Sequence, residues 1–393
     1  MLIKELRLHN FLSFKDSGVI SLGNLNVLIG PNGSGKSNLI EAIDLLHNAP
    51  VELTKPVREG GGVYDWIYKG VQGRGRANLN AVVDYPGHQI NGIRYVLAFS
   101  AVNQRFEICD ERIETAKPVD SSHKDPYFYY RFNNGNPFIN IIEKDGGSRR
   151  RELKSEEIDL EKSVISQRKD PDQYPEITYI GNAFSQIKLY REWSTGRYTM
   201  PRLPQKADLP NKYLQEDYSN LGLVLNRMRR DNQVKQHIIR VLNSLNPGVS
   251  DFDVQIEGGT VQVFLTENGF SIPATRLSDG TLRFLCLAAI LLNIDLPPLI
   301  CIEEPEIGLH PDVIGEIAEM LKIAAERSQV IVTTHSDKLV DALSDTPDSV
   351  IVSENRDGNS VMNRLDGESL SSWLEKYSLG KLWMSGEIGG TRW

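Results

Sequence analysis

The chain has 393 residues, 40% hydrophobic and 24% charged, with 44 Lys and Arg against 52 Asp and Glu and a formal net charge of −8. This is the make-up of an ordinary soluble globular protein, long enough for two or three domains. The acidic balance removes any global electrostatic case for nucleic acid and leaves only local basic patches. The longest apolar run, Phe284–Leu292, is half a membrane span, and the charged start Met1-Leu2-Ile3-Lys4-Glu5 is no signal peptide. Cys109, Cys286 and Cys301 form no C-x-x-C pair, and the last two lie in apolar runs as buried reduced thiols. The expected location is the cytoplasm, without membrane contact.

Leu2–Leu8 reads as a strand, a polar turn around Asp16–Gly18 leads to Val19–Leu22, and Leu25–Ile29 is the next strand. It runs into Gly30-Pro31-Asn32-Gly33-Ser34-Gly35-Lys36-Ser37-Asn38, and Asn38–Leu46 is helix-compatible. G-x-x-x-x-G-K-S between a strand and a helix is a phosphate-binding loop. Its glycines let successive N–H groups turn toward phosphate oxygens, and the helix adds its positive end. Lys36 is expected to reach the β- and γ-phosphates of a nucleotide, and Ser37 to offer its hydroxyl to Mg2+.

Lys55–Gly75 is too rich in glycine for a helix. Beyond it Ala77–Val83, Ile93–Ser100 and Arg105–Cys109 alternate as an antiparallel β-layer does. Asp125–Phe132 and Phe138–Glu143 read as a hairpin, and Glu152–Arg168 is charged and helix-compatible. Leu214–Leu245 places apolar residues for one or two amphipathic helices, stopped by Asn246-Pro247-Gly248. Val254–Ile256 and Thr260–Thr266 form a further hairpin around Gly258-Gly259. There are no sustained heptads, hence no long coiled coil.

Three later segments share one logic. Ser278-Asp279-Gly280 precedes an apolar helix, with Ser278 as its N-cap and the free N–H groups as a second anion-binding end. Pro298–Ile302 is a buried-type strand ending on Glu303 and Glu304, whose side chains diverge, so one carboxylate is placed for magnesium and the other for the attacking water. Val330–Thr334 is another such strand and delivers His335, placed to donate to a γ-phosphate.

In order and spacing the chain resembles the ABC-type ATPases of the RecF, SMC and OLD group, in their AAA-like subset. Asn10-Phe11, the phosphate loop, L-S-D-G-T at Leu277–Thr281, E-E-P-E-I-G-L-H-P at Glu303–Pro311 and T-T-H-S-D at Thr333–Asp337 carry the resemblance. It implies an α/β P-loop ATPase head with a mixed central sheet, an antiparallel β-layer and a helical insert, without a fused TOPRIM nuclease. The expected division is an N-terminal ATPase lobe at 1–150, a helical insert at 151–250 and a C-terminal ATPase part at 251–393. The resemblance further implies a homodimer sandwiching two ATP molecules with Mg2+. Gly30, Pro31, Asn32, Gly33, Ser34, Gly35, Lys36, Ser37 and Asn38 then bind ATP, Glu304 is the catalytic glutamate and His335 the switch histidine. Ser278, Asp279 and Gly280 act on the other protomer's ATP. Ser37 and Glu303 serve the metal, and Gln186, with Gln72 as rival, stands for the family's magnesium-sensing glutamine. Asp279 replaces a usual glycine and is expected to cap its own helix.

Two functions fit. One, implied by the resemblance to relatives in phage-defence systems, is an ATP-gated switch controlling a separately encoded effector; the 44 residues Val350–Trp393 after the last motif are too few for a fused nuclease domain. The other is a DNA-binding repair ATPase of the RecF kind, through Lys69, Arg74 and Arg76, Arg149–Arg151, and Arg227, Arg229 and Arg230. A transporter subunit fits poorly, because the signature lies too far from the phosphate loop. The aromatic, Gly-rich tail Trp383–Trp393 is expected to fold back on its own core.

Overall fold

Apolar strands with no polar face must be buried on both sides, and four such runs build the centre of this protein. The computed structural model describes residues 1–70, 75–87, 92–118, 125–133, 135–143, 147–193 and 196–391. The central sheet has six strands. In chain order they and their flanking helices are β1 (Leu25–Ile29), α1 (Lys36–Asn48), β2 (Lys188–Tyr190), α2 (Asp279–Leu291), β3 (Leu299–Glu303), β4 (Gln329–Thr333), β5 (Val350–Arg356), β6 (Asn359–Arg364) and α3 (Leu379–Met384). The spatial order is β2-β3-β4-β1-β5-β6. All neighbours are parallel except the β5–β6 hairpin, so the sheet is mixed and its parallel strands end at one edge.

Period-two alternation divides the sheet's side chains between two cores. Leu28, Leu299, Cys301, Ile331 and Ile351 join the first, with α1 and a nine-stranded antiparallel layer. Val27, Ile29, Ile300, Ile302, Val330, Val332 and Val352 join the second, with α2, the helices Leu221–Met228 and Asn232–Leu245, and a four-stranded sheet. Within the antiparallel layer, Ile3–Phe11 pairs with Arg76–Val83, and successive hairpins continue to Ser148–Glu152 at the far edge. Cys286 and Cys301 are buried free thiols. No helix among the described residues is long and apolar enough to cross a membrane.

Two local expectations change. The stretch after Lys55 is not all loop: Lys55–Glu59 and Val63–Trp66 are short helices on either side of Gly60–Gly62. Burial of Val57, Val63 and Trp66 outweighs the glycines, and Pro56 suits the first helical turn. Glu152–Arg168 holds only a single 3-10 turn, Ser155–Glu157, and one turn of helix, Val164–Gln167. Its backbone is instead pinned to a buried carboxylate, Glu111, which accepts from the Ser163 hydroxyl and from Val164 N–H at 2.9 Å. In the Leu214–Leu245 stretch Asp231 separates two helices by capping the second through Gln233 and Val234 N–H.

The described part of the tail, 383–391, folds back. Trp383 is 7% exposed and donates its indole N–H to Gly390 O at 3.1 Å. Gly390 N–H bonds Glu354 Oε1 at 3.1 Å, and this seats Gly390 against Gly30 at the start of the phosphate loop. Trp383→Ala is expected to cost about 3 kcal/mol and, by loosening this contact, to weaken nucleotide affinity. Calorimetric melting and nucleotide titration check the two effects.

Candidate functional site

The phosphate loop is shaped by what lies behind it. Gly30 has φ +142° and Gly35 φ +107°. A Cβ on Gly30 would sit 2.1 Å from Ser353 O on β5, and one on Gly35 2.5 Å from Ser360 Oγ on β6. Only glycine permits both the backbone angles and the close approach of the β5–β6 hairpin. Ser353 Oγ donates to Ser34 O at 2.8 Å, and Asn38 Nδ2 to Ser13 Oγ at 2.6 Å. Ser34 Oγ is buried without a hydrogen-bond partner among the described residues, and Lys36, 6% exposed, spends its ammonium on Gly30 O at 2.7 Å and Pro31 O at 3.1 Å. Burial draws the Lys36 pKa down to about 8, while the charges of Glu304 and Glu303 hold it up. A cradle with an unpaired hydroxyl and a lysine bonded only to carbonyls fits a polyphosphate.

At the adjacent strand ends, Ser37 Oγ lies 2.9 Å from Glu303 Oε2. A hydroxyl and a carboxylate so placed fit a hard cation that takes its other ligands from phosphate and water, as Mg2+ does. Glu304 follows with φ +48° and is fixed by its N–H to Thr333 O at 2.9 Å. Its carboxylate stands 3.7 Å from His335 Nε2. Glu306 Oε1 accepts from Thr334 Oγ1 at 2.6 Å and His335 N–H at 2.9 Å, tying the two strand ends together. Glu306 is the third acidic residue of E-E-P-E, two places after Glu304.

Arg191 carried no signal at all. It follows β2, beside Glu303, and donates to Glu303 Oε1 at 2.7 Å, Glu41 Oε1 at 2.6 Å and Asp44 Oδ2 at 3.4 Å. Trp193 adds its indole N–H to Glu303 O at 2.8 Å, and its ring lies under the Arg283 guanidinium. A cleft of about 590 Å³ opens here, lined by Glu41, Asp44, His47, Lys55, Arg191 and Glu303 among others. Burial raises the Asp44 carboxyl to about 6, against the pull of Arg191. Gln186 is not in this group. It precedes β2 at the opposite end of the strand, and its Nε2 bonds Asn182 O at 3.2 Å. Gln72 and Arg74 lie outside the described residues.

Ser278 caps α2, accepting from Thr281 N–H at 3.0 Å. Asp279 does not cap its own helix. Ser278 already fills that role, and the Asp279 carboxylate turns to Arg202 and, at 3.4 Å, to Gly196 N–H. Ser278 and Gly280 line a separate groove with Thr281, Gly308, Leu309 and His310, and among the described residues none from the phosphate loop takes part in it.

Arg191→Ala leaves Glu41, Asp44 and Glu303 facing one another and is expected to cost about 3 kcal/mol. Asp44 has a raised folded pKa, so it is largely neutral below pH about 6 and ionises as pH rises through that value. The loss is therefore expected to be larger at pH 8 than at pH 5, a comparison urea unfolding at both pH values makes directly.

Residues 25–341 match the family described as AAA domain, putative AbiEii toxin, Type IV TA system. The chain is 54% identical over 43 residues to the DNA double-strand break repair Rad50 ATPase of Sulfolobus acidocaldarius, covering 11% of this chain and 5% of that one. It is 27% identical over 179 residues to the Rad50 ATPase of Thermoplasma acidophilum, covering 41% and 18%. It is 44% identical over 43 residues to the DNA replication and repair protein RecF of Desulforamulus reducens, covering 11% and 12%. Each match thus spans under a fifth of the named protein. Among solved structures, an Smc head bound to the C-winged helix domain of ScpA aligns with a TM-score of 0.56 at 17% identity, over 93% of this chain and 99% of that one. A Pyrococcus furiosus Smc head with an extended coiled coil, bound to the C-terminal domain of ScpA, aligns at 0.54 and 15%, over 96% and 99%. The phosphate loop and the carboxylates at the strand ends sit in a fold of the ABC-type, RecF/SMC-like ATPase kind, and the chain belongs to the AAA-domain family described as putative AbiEii toxin, type IV TA system.

Proposed function

We propose that the protein is a cytoplasmic, ATP-hydrolysing homodimeric switch that controls a separately encoded effector in anti-phage defence. The observation that supports hydrolysis is the convergence of Lys36, Ser37, Glu303, Glu304 and His335 on one sheet edge. In this reading the residues from Gly30 to Asn38 bind ATP, and Lys36 exchanges its carbonyl partners for the β- and γ-phosphates. Ser37 and Glu303 would hold Mg2+, which would supply positive charge against the phosphate oxygens. Glu304 orients the attacking water and takes its proton, while His335, set by Glu306, donates to the γ-phosphate. Of the signature residues, Ser278 and Gly280 open on their own groove, which supports the use of Ser278, Asp279 and Gly280 on a nucleotide carried by a second copy.

The toxin-system description of the family supports the effector role. The Rad50 and RecF names support the second reading, a DNA-binding repair ATPase. Local charge speaks against it: Arg151 pairs with Glu157 at 2.7 Å, Arg76 with Asp110 at 3.1 Å, Arg227 with Asp295 and Arg229 with Asp253. Arg150 stacks over Phe138 at 4.3 Å. Much of the basic charge is therefore already engaged.

Glu304→Gln is expected to bind ATP normally and lose turnover by about 10²–10⁴, whereas Lys36→Ala loses binding; steady-state hydrolysis with nucleotide titration separates them. A Glu304→Gln protein that hydrolyses at the parent rate would discard the assignment. Mixing Lys36→Ala with Ser278→Arg protein, each inactive alone, puts both lesions in one site of a mixed dimer. Roughly a quarter of parental turnover is then expected to return, and none if the site is built within one chain. DNA-stimulated hydrolysis that falls steeply with salt would favour the repair reading.

A further inference from the structure

The signature end of α2 carries a carboxylate where an incoming phosphate would meet it, and a buried cation is fixed beside it. Asp279 is the first residue of the helix after its Ser278 cap, where the helix dipole favours an acidic group. Arg202 is 7% exposed. Its Nε donates to Gly196 O at 3.1 Å. One terminal nitrogen donates to Leu277 O at 2.5 Å and reaches Ala274 O and Thr275 O at 3.4 Å; the other donates to the Asp279 carboxylate. Carbonyls fix a guanidinium in place but leave its charge uncancelled. Among the described residues Asp279 is the one carboxylate in an ion pair with Arg202. Arg283, a further cation that feels the Asp279 charge, lies over the Trp193 ring and makes no ion pair with Asp279 among the described residues.

We infer that Arg202 is a positioning residue of the signature: it neutralises Asp279 and draws the carboxylate aside. The first N–H groups of α2, beside a Ser278 hydroxyl already bonded to Thr281 N–H and Oγ1, then meet the phosphate of a nucleotide held by a second copy of the chain without a like charge in the way. The inference rests on the two-protomer site proposed above. Without Arg202, Asp279 faces that phosphate as a like charge across the interface, and association weakens. The relation is specific to this pair, because the charge that needs cancelling and the cation that cancels it come from segments 77 residues apart.

The test uses the full chain in the Glu304→Gln background, with ATP and Mg2+, and reads mass by light scattering against protein concentration. The Glu304→Gln parent is expected to dimerise; a parent that stays monomeric removes the two-protomer reading, and this inference with it. Given a dimer, Arg202→Met is expected to raise the concentration for half-association about tenfold, a deficit that shrinks as salt is raised from roughly 50 to 500 mM. Adding Asp279→Asn to Arg202→Met is expected to bring association back to within about threefold of the parent. If Arg202→Met associates like the parent, the inference is overturned while the dimer stands. It is overturned equally if the double variant is as weak as the single, since Arg202 then only packs the 274–277 turn. Should Arg202→Met lack a cooperative melt, Arg202→Lys decides: it keeps the charge, and a folded Arg202→Lys protein that associates more weakly than the parent counts against the inference.

Discussion

The carboxylate of Glu303 is divided between two partners, and the nucleotide edge is organised around that division. One oxygen accepts from Ser37 at the start of α1, the other from Arg191 at the end of β2. The same guanidinium reaches back to Glu41 and Asp44 on α1. A charge taken partly out of water needs such partners, or it costs more than its position returns. The arrangement thus fixes α1, β2 and β3 relative to one another with a single residue. It also leaves the Ser37 side of the carboxylate, facing the phosphate loop, as the side a cation can reach.

A second dependence runs through the sheet itself. Alternation sends neighbouring residues of β3 and β4 into different cores, so neither core can shift without moving the strand ends that carry Glu303, Glu304 and His335. The antiparallel layer and the helical side therefore meet in one rigid sheet. Trp193 extends this to the helical side, with one edge on the Glu303 carbonyl and its face on Arg283 of α2. The start of the signature helix and the end of β3 share a neighbour.

What the sequence made legible follows from how local each signal is. The phosphate loop, the strand ending on Glu303 and Glu304, and the Ser278 cap are each decided within ten residues, by turn chemistry and capping that need no tertiary information. The hairpins of the β-layer were legible for the same reason. Arg191 was not, because its partners at 41, 44 and 303 come together only through the parallel pairing of β2 with β3. Gln186 is expected at the magnesium site only through the family resemblance, and no local pattern shows that it precedes β2 at the end of the strand away from Glu303. Repulsion from a phosphate says that the Asp279 carboxylate must turn away, but no local pattern announces the buried arginine 77 residues earlier to which it turns. Glycine misled in the Lys55–Gly75 stretch, where burial of Trp66 and its neighbours outweighed propensity.

The left-handed backbone of Glu304 sets thermal robustness against chemistry at one position. A residue with a side chain gives up about 1 kcal/mol to hold such a φ, and glycine would not. Replacement by glycine would relax the turn and make the protein harder to melt while deleting the carboxylate. A population enriched only for heat resistance would drift toward that allele, and the acid at 304 would persist only where survival depends on what it does.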